Sequence, residues 1–152
     1  MQTPGDTGPE QLDNSSSHKP FAWPVRVYYE DTDAQGRVYF ANYFKFMERA
    51  RTEWLRYLGV EQDVLLNEQR RFFVVVESQA DFLTPANFND ELLVTVELLK
   101  VSRASFLIKQ EIYRKNSASE LLCRGTTRAA FLNADTYKPV KVAAAMFEDP
   151  EK

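Results

Sequence analysis

The side chains best suited to chemistry form an acidic run, Tyr29-Glu30-Asp31-Thr32-Asp33, between an alternating segment and a long helical pattern. The first amides of a helix carry partial positive charge, so a carboxylate placed just before them can work beside a polarised carbonyl group. Asp33 could therefore act as a base or a nucleophile while amides near Phe40 hold a developing oxyanion. Asp31 and Asp33 could equally cap turns through bonds to the backbone, and spacing alone leaves that interpretation open.

Residues for other chemistries are scarce. The chain has one histidine, His18, and one cysteine, Cys123, which excludes an internal disulfide and any multi-cysteine metal site. Cys123 lies in an alternating strand pattern and is expected in the core. The run from Asp31 begins like a calcium loop, but its twelfth position is Asn42 rather than the glutamate that such a loop requires. The sequence therefore predicts no metal site and indicates no cofactor.

An amphipathic helix follows the acidic run. Its apolar side chains recur at intervals of three and four: Tyr43, Met47, Ala50, Trp54 and Leu58. This spacing predicts a helix of about 17 residues that ends at Gly59. Glu48 lies on the other face; it could be a catalytic acid, but an ion pair with Arg51 is the simpler interpretation. Residues 61–69 are expected to form a second short helix or a lid-like loop.

Period-two patterns predict the strands, at residues 25–30, 72–82, 92–100, 105–114 and 121–133. In the 72–82 segment the even-numbered residues from Val74 to Phe82 are expected to share one face, and Gly125 could mark a bulge in the last strand. Short loops between the last four strands imply an antiparallel sheet, against which the single long helix must bury its apolar stripe. We therefore predict an α+β domain with an antiparallel sheet of about five or six strands.

Composition bounds the class of protein. The chain has 152 residues, 27% of them charged, and a net charge of −3, which fits one soluble globular domain and argues against a nucleic-acid-binding protein. No apolar run approaches the roughly 20 residues of a membrane-spanning helix. Residues 1–20 are polar and rich in Pro, Gly and Ser, so we expect a disordered tail without a secretory signal. A cytoplasmic location and a single domain over residues 21–152 follow as expectations.

The stretch from Val25 to Val60 contains the pattern Y-x-x-x-D-x-x-G-x-V-Y-x-x-N-Y, from Tyr29 to Tyr43. It resembles the 4-hydroxybenzoyl-CoA thioesterase-like family and, within it, the bacterial acyl-CoA thioesterases associated with the Tol–Pal system. A looser likeness extends to about residue 140. The resemblance implies a hotdog fold, in which an antiparallel sheet wraps around one long helix. It also implies hydrolysis of acyl-CoA, and a homodimer or homotetramer whose sites are shared between subunits.

The resemblance also implies roles for particular residues. Asp33 corresponds to the catalytic carboxylate, acting as nucleophile or general base, and the amide of Phe40 to the group that polarises the thioester carbonyl. Tyr29 matches a tyrosine that helps to position the site, and Arg103 a basic residue that meets coenzyme A phosphates. The residues expected to bind the substrate alongside Arg103 are Tyr39, Asn42 and Tyr43, although these tyrosines could equally belong to the core.

One departure from the family pattern matters for mechanism. Close relatives read V-Y-H-A-N-Y, whereas this chain has phenylalanine at the histidine position, Phe40. Phenylalanine cannot transfer a proton, but its backbone amide remains a donor. The alternative is therefore a non-catalytic hotdog module that binds an acyl-CoA or an acyl carrier protein. A dehydratase or another hotdog activity ranks last, because such chemistry generally uses a histidine and His18 lies in the tail.

Overall fold

The computed structural model describes residues 19–151. Of the predicted tail, residues 1–20, only Lys19 and Pro20 fall in this range, and His18 lies outside it. The described chain forms five strands, two α-helices and two short 3-10 turns. The strands are β1 Phe21–Arg26, β2 Arg71–Phe82, β3 Glu91–Val101, β4 Ser105–Arg114 and β5 Ser117–Asn133; the helices are α1 Asn42–Tyr57 and α2 Gln62–Gln69; the 3-10 turns are Tyr29–Asp31 and Ala144–Phe147.

All five strands join in one antiparallel sheet in the order β1-β3-β4-β5-β2. Alternate side chains of the central strands point to one face, which we call the inner face because α1 covers it. The buried apolar side chains on this face include Leu92, Val94 and Val96 of β3 and Phe106, Ile108 and Ile112 of β4. The predicted α+β architecture and these alternations are confirmed. In this arrangement β1 and β2 are the edge strands.

Helix α1 packs its predicted apolar stripe onto the inner face. Its buried side chains are Tyr43, Phe46, Met47, Ala50, Trp54 and Leu55. The helix has 16 residues and stops where predicted, since Gly59 takes a φ of +94° that a side chain would strain. Near this end Trp54 stacks on Phe147, with ring centroids 5.6 Å apart. The second predicted helix is also confirmed, as α2.

Two details of the strands differ from prediction at the start of the chain. Strand β1 begins at Phe21 and ends at Arg26, not at residues 25 and 30, and Tyr29–Asp31 forms a 3-10 turn instead. The prediction was wrong because the alternation of Val and Tyr in the sequence continues beyond Arg26, whereas β3 has no residue left to pair with the chain after that point. Arg26 lies opposite Glu91, the first residue of β3.

A bulge in β2 overturns the single alternation predicted for residues 72–82. The register shifts between Val75, opposite Ala129, and Glu77, opposite Arg128, so Val76 is the extra residue. Ser78, Ala80 and Phe82 lie on the inner face as predicted, but before the bulge the inner face takes odd-numbered residues, and Val74 lies on the outer face.

The bulge expected at Gly125 is wrong, because this residue stays in unbroken register with Ala80 and Gln110. Glycine is required at position 125 for a different reason. A Cβ on Gly125 would lie 2.2 Å from the carbonyl oxygen of Gln79, so only glycine allows the two strands to approach so closely.

Candidate active site

The acidic run folds into a loop that Asp31 fastens to the start of α1. Asp31 is 1% exposed, and its Oδ2 accepts a hydrogen bond from the amide of Tyr28 at 2.8 Å. Its carbonyl oxygen accepts bonds from the amide of Tyr39 at 3.1 Å and from Nδ2 of Asn42 at 2.8 Å. Asp31 is therefore a structural residue that fixes the distance between the loop and the helix.

Asp33 lies at the tip of this loop and is exposed. Its Oδ1 accepts the amides of Gln35 at 2.9 Å and Arg37 at 3.2 Å, while Gly36 takes the positive φ of +80° that the tight turn needs. The interpretation that Asp33 caps a turn is therefore correct for its Oδ1. The other, Oδ2, receives no hydrogen bond from residues 19–151, and is held in a fixed direction by the first.

The backbone just before α1 presents open donors. The carbonyl of Tyr39 accepts the amide of Asn42 at 2.9 Å, and that of Phe40 accepts the amide of Tyr43 at 3.3 Å. Within the described part of the chain, the amides of Phe40 and Ala41 have no acceptor. Their position at a helix start makes them suited to an oxygen that carries partial negative charge.

Five exposed aromatic side chains surround the loop, and we call them the aromatic patch: Tyr29, Tyr39, Phe40, Phe82 and Phe88. Tyr29 is 80% exposed and its ring meets Phe88 at 5.3 Å. The ring of Phe40 meets Phe82 at 5.8 Å and Tyr39 at 5.0 Å. Tyr29, Tyr39 and Phe40, all predicted from the sequence as site residues, are therefore exposed on either side of the acidic loop in the chain, in two separate groups of contacting rings.

Two other predicted site residues lie beneath this surface. Tyr43 is 4% exposed, and its hydroxyl accepts the amide of Ala86 at 3.0 Å; burial raises the pKa of this phenol above its ordinary value, and the Ala86 bond partly opposes the shift. The side-chain amide of Asn42 donates its hydrogen bond to the carbonyl oxygen of Asp31. Both side chains use their polar groups to hold the scaffold of the site.

A second loop, residues 84–90, supports the first. The amide of Val38 donates to the carbonyl of Ala86, and the amide of Phe88 to that of Gly36, both at 2.9 Å. Arg114 fastens this second loop: it pairs with Asp90 and with Glu120 at 3.0 Å, and donates to the carbonyl of Pro85 at 3.2 Å. Arg114 therefore positions the acidic loop through an intermediate loop, a role that sequence reasoning missed.

Arg103 lies at the other end of the sheet. It follows the last residue of β3, whereas the acidic loop lies beside the first, and the 11 residues of β3 span roughly 30 Å. The side chain is exposed, and its carbonyl accepts the amide of Val142 at 2.7 Å. One chain alone does not bring Arg103 to Asp33.

A polar network under α1 also escaped prediction. Nη1 of Arg51 donates to Oε1 of Gln110 at 3.2 Å, and Nε2 of Gln110 donates to the carbonyl of Met47 at 3.0 Å. The expected ion pair between Glu48 and Arg51 is wrong, since Glu48 accepts the hydroxyl of Thr52 at 2.8 Å instead. Helical spacing could have indicated that Arg51 borders the apolar stripe of α1. It could not have identified Gln110 as the partner of Arg51, because Gln110 lies 59 residues away in the sequence.

Other reactive groups are inert or scattered. Cys123 is 0% exposed, as its strand pattern predicted, and desolvation, with the nearby charge of Asp81, raises its pKa to about 12. Across residues 19–151 no group of three His, Cys, Asp or Glu side chains could hold a metal ion. None of the helices found in that range is both long enough and apolar enough to cross a membrane.

The chain matches known proteins along most of its length. The model of the thioesterase-like superfamily matches residues 27–148. The chain belongs to the thioesterase-like superfamily. An acyl-CoA thioesterase YbgC from Haemophilus influenzae is 43% identical over 120 residues, 79% of this chain and 86% of that protein. An acyl-CoA thioester hydrolase YbgC from Escherichia coli O157:H7 is 46% identical over 92 residues, 60% of this chain and 68% of that one.

Solved members of the thioesterase-like superfamily share the fold. A 1,4-dihydroxy-2-naphthoyl-CoA thioesterase from Synechocystis superposes with a TM-score of 0.79 at 25% identity, over 88% of this chain and 99% of the other. A probable thioesterase from Bartonella henselae gives 0.76 at 29% identity, over 82% and 100%. The fold is therefore the hotdog fold, and the family resemblance of the acidic run and helix α1 is confirmed.

Proposed function

We propose that the acidic loop and the start of α1 form the catalytic site of an acyl-CoA thioester hydrolase, in which Asp33 and the Phe40 amide act together. The reaction converts an acyl-CoA and water into a carboxylic acid and coenzyme A. The activity is supported by family membership and by the relatives named acyl-CoA thioesterases. The observation that carries the assignment of residues is that the acidic loop, which leads into α1, presents one unbonded carboxylate oxygen, Asp33 Oδ2, and that the start of the helix presents open amides.

The geometry supports two routes for Asp33. As a nucleophile, Oδ2 attacks the thioester carbon, coenzyme A leaves as its thiol, and water hydrolyses the resulting anhydride. As a general base, Oδ2 takes a proton from water while the water oxygen attacks the thioester carbon; the carbon–sulfur bond then breaks and the proton passes to the thiolate of coenzyme A. In both routes the Phe40 amide stabilises the negative oxygen of the tetrahedral intermediate. Hydrolysis in ¹⁸O-labelled water under single-turnover conditions identifies the nucleophile route when solvent oxygen enters Asp33, which requires water to attack the carboxyl carbon of Asp33 in the anhydride; trapping of the anhydride with hydroxylamine detects the same route when water attacks the acyl carbon.

The other residues of the proposed site fall into two groups, those at its surface and those that support its backbone. Tyr29 and Tyr39 provide ring faces at the mouth of the site, and Tyr43 and Asn42 hold the backbone beneath it. Loss of either scaffold bond would displace the Phe40 amide from the carbonyl oxygen, so we expect these residues to influence turnover through position.

A second copy of the chain completes the site in this proposal. Edge strand β2 has 12 residues without proline, and Val75 and Val76 are 46% and 55% exposed along it. Antiparallel pairing of two β2 edges would set the Phe82 end of one copy beside the Arg71 end of the other, which is the end of the sheet that carries Arg103. The partner's Arg103 could then meet coenzyme A phosphates, and a homodimer or a homotetramer built from it follows.

The test is thiol release from a panel of acyl-CoA esters. Asp33→Asn is expected to lower kcat/KM by at least about a hundredfold, whereas Asp63→Asn, an equally exposed change on α2, leaves it unaltered. Turnover that is indifferent to Asp33→Asn would overturn the assignment of the residue. Absence of turnover by the wild type on every ester would overturn the activity itself.

The alternative function is a hotdog module that binds acyl groups without cleaving them, and Phe40 at the histidine position favours it. It predicts that an acyl-CoA raises the melting temperature without thiol release. Parallel assays with acyl carrier protein thioesters decide which carrier is used. A cytoplasmic location, with coenzyme A esters as the accessible pool, completes the proposal.

A further inference from the structure

Helix α1 packs mainly on strands β1 and β3 and touches the opposite edge strand, β2, much less. Phe44 and Arg51 lie on one side of the helix, since residues seven apart share a face. The ring of Phe44 reaches Phe82 on β2 at 6.2 Å. Between this side of α1 and the inner face of β2 lies a strip that we call the inner groove, bounded by Phe44 and Arg51 on the helix and by Phe82, Ala80 and Ser78 on the strand.

The strand register gives the depth of each residue in the inner groove. Phe82, next to the Phe40 ring, is paired through Cys123 to Ile112. The following row is Ala80, Gly125 and Gln110, and Gln110 is the partner of Arg51. Arg51 therefore acts one row beyond Phe82, two strand residues or roughly 7 Å along the sheet from the row whose Phe82 ring contacts the Phe40 ring.

Arg51 is a cation with unfilled hydrogen-bonding capacity. It is half-buried, and of the five donors of a guanidinium only Nη1 has an acceptor among residues 19–151, the neutral amide of Gln110. No carboxylate of that range lies within ion-pair distance of it. Desolvation lowers its pKa, and the charge of Glu48 opposes the shift. The unbonded nitrogens of Arg51 are not closed off from solvent, so a bound anion can reach them and accept their hydrogen bonds.

Gln110 orients the guanidinium group of Arg51. The residue is 1% exposed, and its amide nitrogen is committed to the carbonyl of Met47, so its oxygen must face Arg51. A second polar pair lies in the next row, where the hydroxyls of Ser78 and Thr127 are 2.9 Å apart and Thr127 is 2% exposed. The far end of the inner groove is therefore polar and positively charged, while its near end is aromatic.

The depth of Gln110 indicates what can reach Arg51. Strand β4 is the third from the β2 edge, and strands are about 4.8 Å apart, so a strand added by a second copy would lie roughly 14 Å from β4. A slender group that enters between α1 and the sheet fits better. A carboxylate matches the fork of donors on a guanidinium, and roughly 7 Å is spanned by about five staggered single bonds.

We propose that the inner groove holds the acyl group of the substrate and that Arg51 pairs with a carboxylate at its far end. The protein then prefers coenzyme A thioesters of short dicarboxylic acids, of about five carbons, to those of monocarboxylic acids of equal length. This inference rests on the proposed function, since it extends the same site beyond the thioester.

The experiment compares kcat/KM for glutaryl-CoA and pentanoyl-CoA. We expect the wild type to favour glutaryl-CoA by about tenfold or more, because a hydrogen bond to a charged group differs by that factor from a contact with a methyl group. Arg51→Gln should remove the preference by slowing glutaryl-CoA alone, and Arg51→Lys should restore part of it. Arg49→Gln, the same change on the exposed face of α1, should alter neither substrate.

Pentanoyl-CoA is the internal control. Its unchanged hydrolysis by Arg51→Gln shows that the variant folds, and its sensitivity to Asp33→Asn tests the proposed function separately. If no ester is hydrolysed, calorimetric affinities of both esters still measure the preference. Equal values for the two esters, or a ratio that Arg51→Gln leaves unchanged, would overturn the inference. An unchanged ratio with weakened self-association in sedimentation would assign Arg51 to a subunit interface instead.

Discussion

The two ends of helix α1 lie on the same sheet face but are surrounded differently. At the carboxyl-terminal end Trp54 packs on Phe106 at 5.9 Å and stacks on Phe147, and Phe106 also meets Phe73 at 5.2 Å. Trp54 and Phe106 are 6% and 2% exposed. This closed end contains aromatic rings that contact each other on several sides.

The amino-terminal end is open. Phe40 and Phe82 are 55% and 46% exposed, and further along the helix Arg51 and Gln110 place polar groups where the closed end has rings. An apolar filling of that side would be easier to stabilise, since buried polar groups contribute little net free energy of folding. The rings at the closed end therefore add more to the stability of the fold, whereas the exposed rings of Phe40 and Phe82 at the open end add less and are accessible to a ligand.

Truncation of a ring at the closed end should destabilise the protein most. Phe106→Ala should lower the free energy of unfolding by about 3–5 kcal/mol, because it leaves a cavity among rings that cannot collapse into it. Phe82→Ala, the matched change at the open end, should cost less than half as much, since its ring is already partly in water. Urea denaturation of both variants measures the difference. Equal losses would show that the two ends contribute alike to stability.

The next effect concerns the sheet beneath both ends. Gly125→Ala forces a methyl group to within 2.2 Å of the Gln79 carbonyl oxygen, so one strand must move, at a cost of about 1–3 kcal/mol. Thr126→Ala, the neighbouring change on the outer face, should cost well under that. Thermal unfolding provides the measurement, and a stable Gly125→Ala variant would show that β2 can shift freely against β5.

The local parts of this structure were accessible from the sequence. Helical spacing predicted α1 and its buried stripe, Gly59 its end, and alternation the pairing faces of β3 and β4. The acidic loop could be placed because its determinants lie within a few residues: Asp33 caps its own turn, and Gly36 supplies a positive φ. Short-range physics of this kind depends on residue types and spacing alone.

What could not be predicted depends on contacts between distant residues. The bulge at Val76 lies inside the apolar run from Phe72 to Val76, where no residue type marks it. Gly125 is required by the approach of Gln79, and Gln110 is oriented by Met47 and Arg51 from another element. The end of β1 was misplaced for the same reason, because Glu91 determines where pairing stops. Such facts arise only when the tertiary arrangement exists.

A smaller effect concerns the support of the open end. Arg114→Met should lower stability by no more than about 1 kcal/mol, since its ion pairs are partly exposed, yet lower kcat/KM because the 84–90 loop loses its anchor. Lys115→Met, which removes a neighbouring surface ion pair, is the control. Unchanged turnover in Arg114→Met would show that the acidic loop holds its position without this support.

The same anchor makes a pH prediction. The hydrogen bond from Arg114 holds the pKa of Glu120 below its ordinary value. A carboxyl group with a lowered folded-state pKa stabilises the protein above its unfolded-state pKa, and this stabilisation is lost as the pH falls through the folded value. The acid-induced fall in melting temperature should therefore be shallower in Arg114→Met than in the wild type. Identical slopes would mean that the pair contributes nothing in solution.

The reactivity of the Cys123 thiol measures how deep the open end reaches, and we expect it to be very low. Cys123 lies on the inner face of the sheet, paired with Phe82 of the open end, and burial raises its pKa to about 12. At pH 8 its thiolate fraction is lower than that of an ordinary cysteine by a factor of about a thousand. A disulfide reagent should thus label the unfolded chain in seconds and the native protein at least that much more slowly. Rapid labelling of the native protein would show that Phe82 swings away and that the open end extends down to the sheet, in which case the inner groove is wider than its rows of side chains suggest.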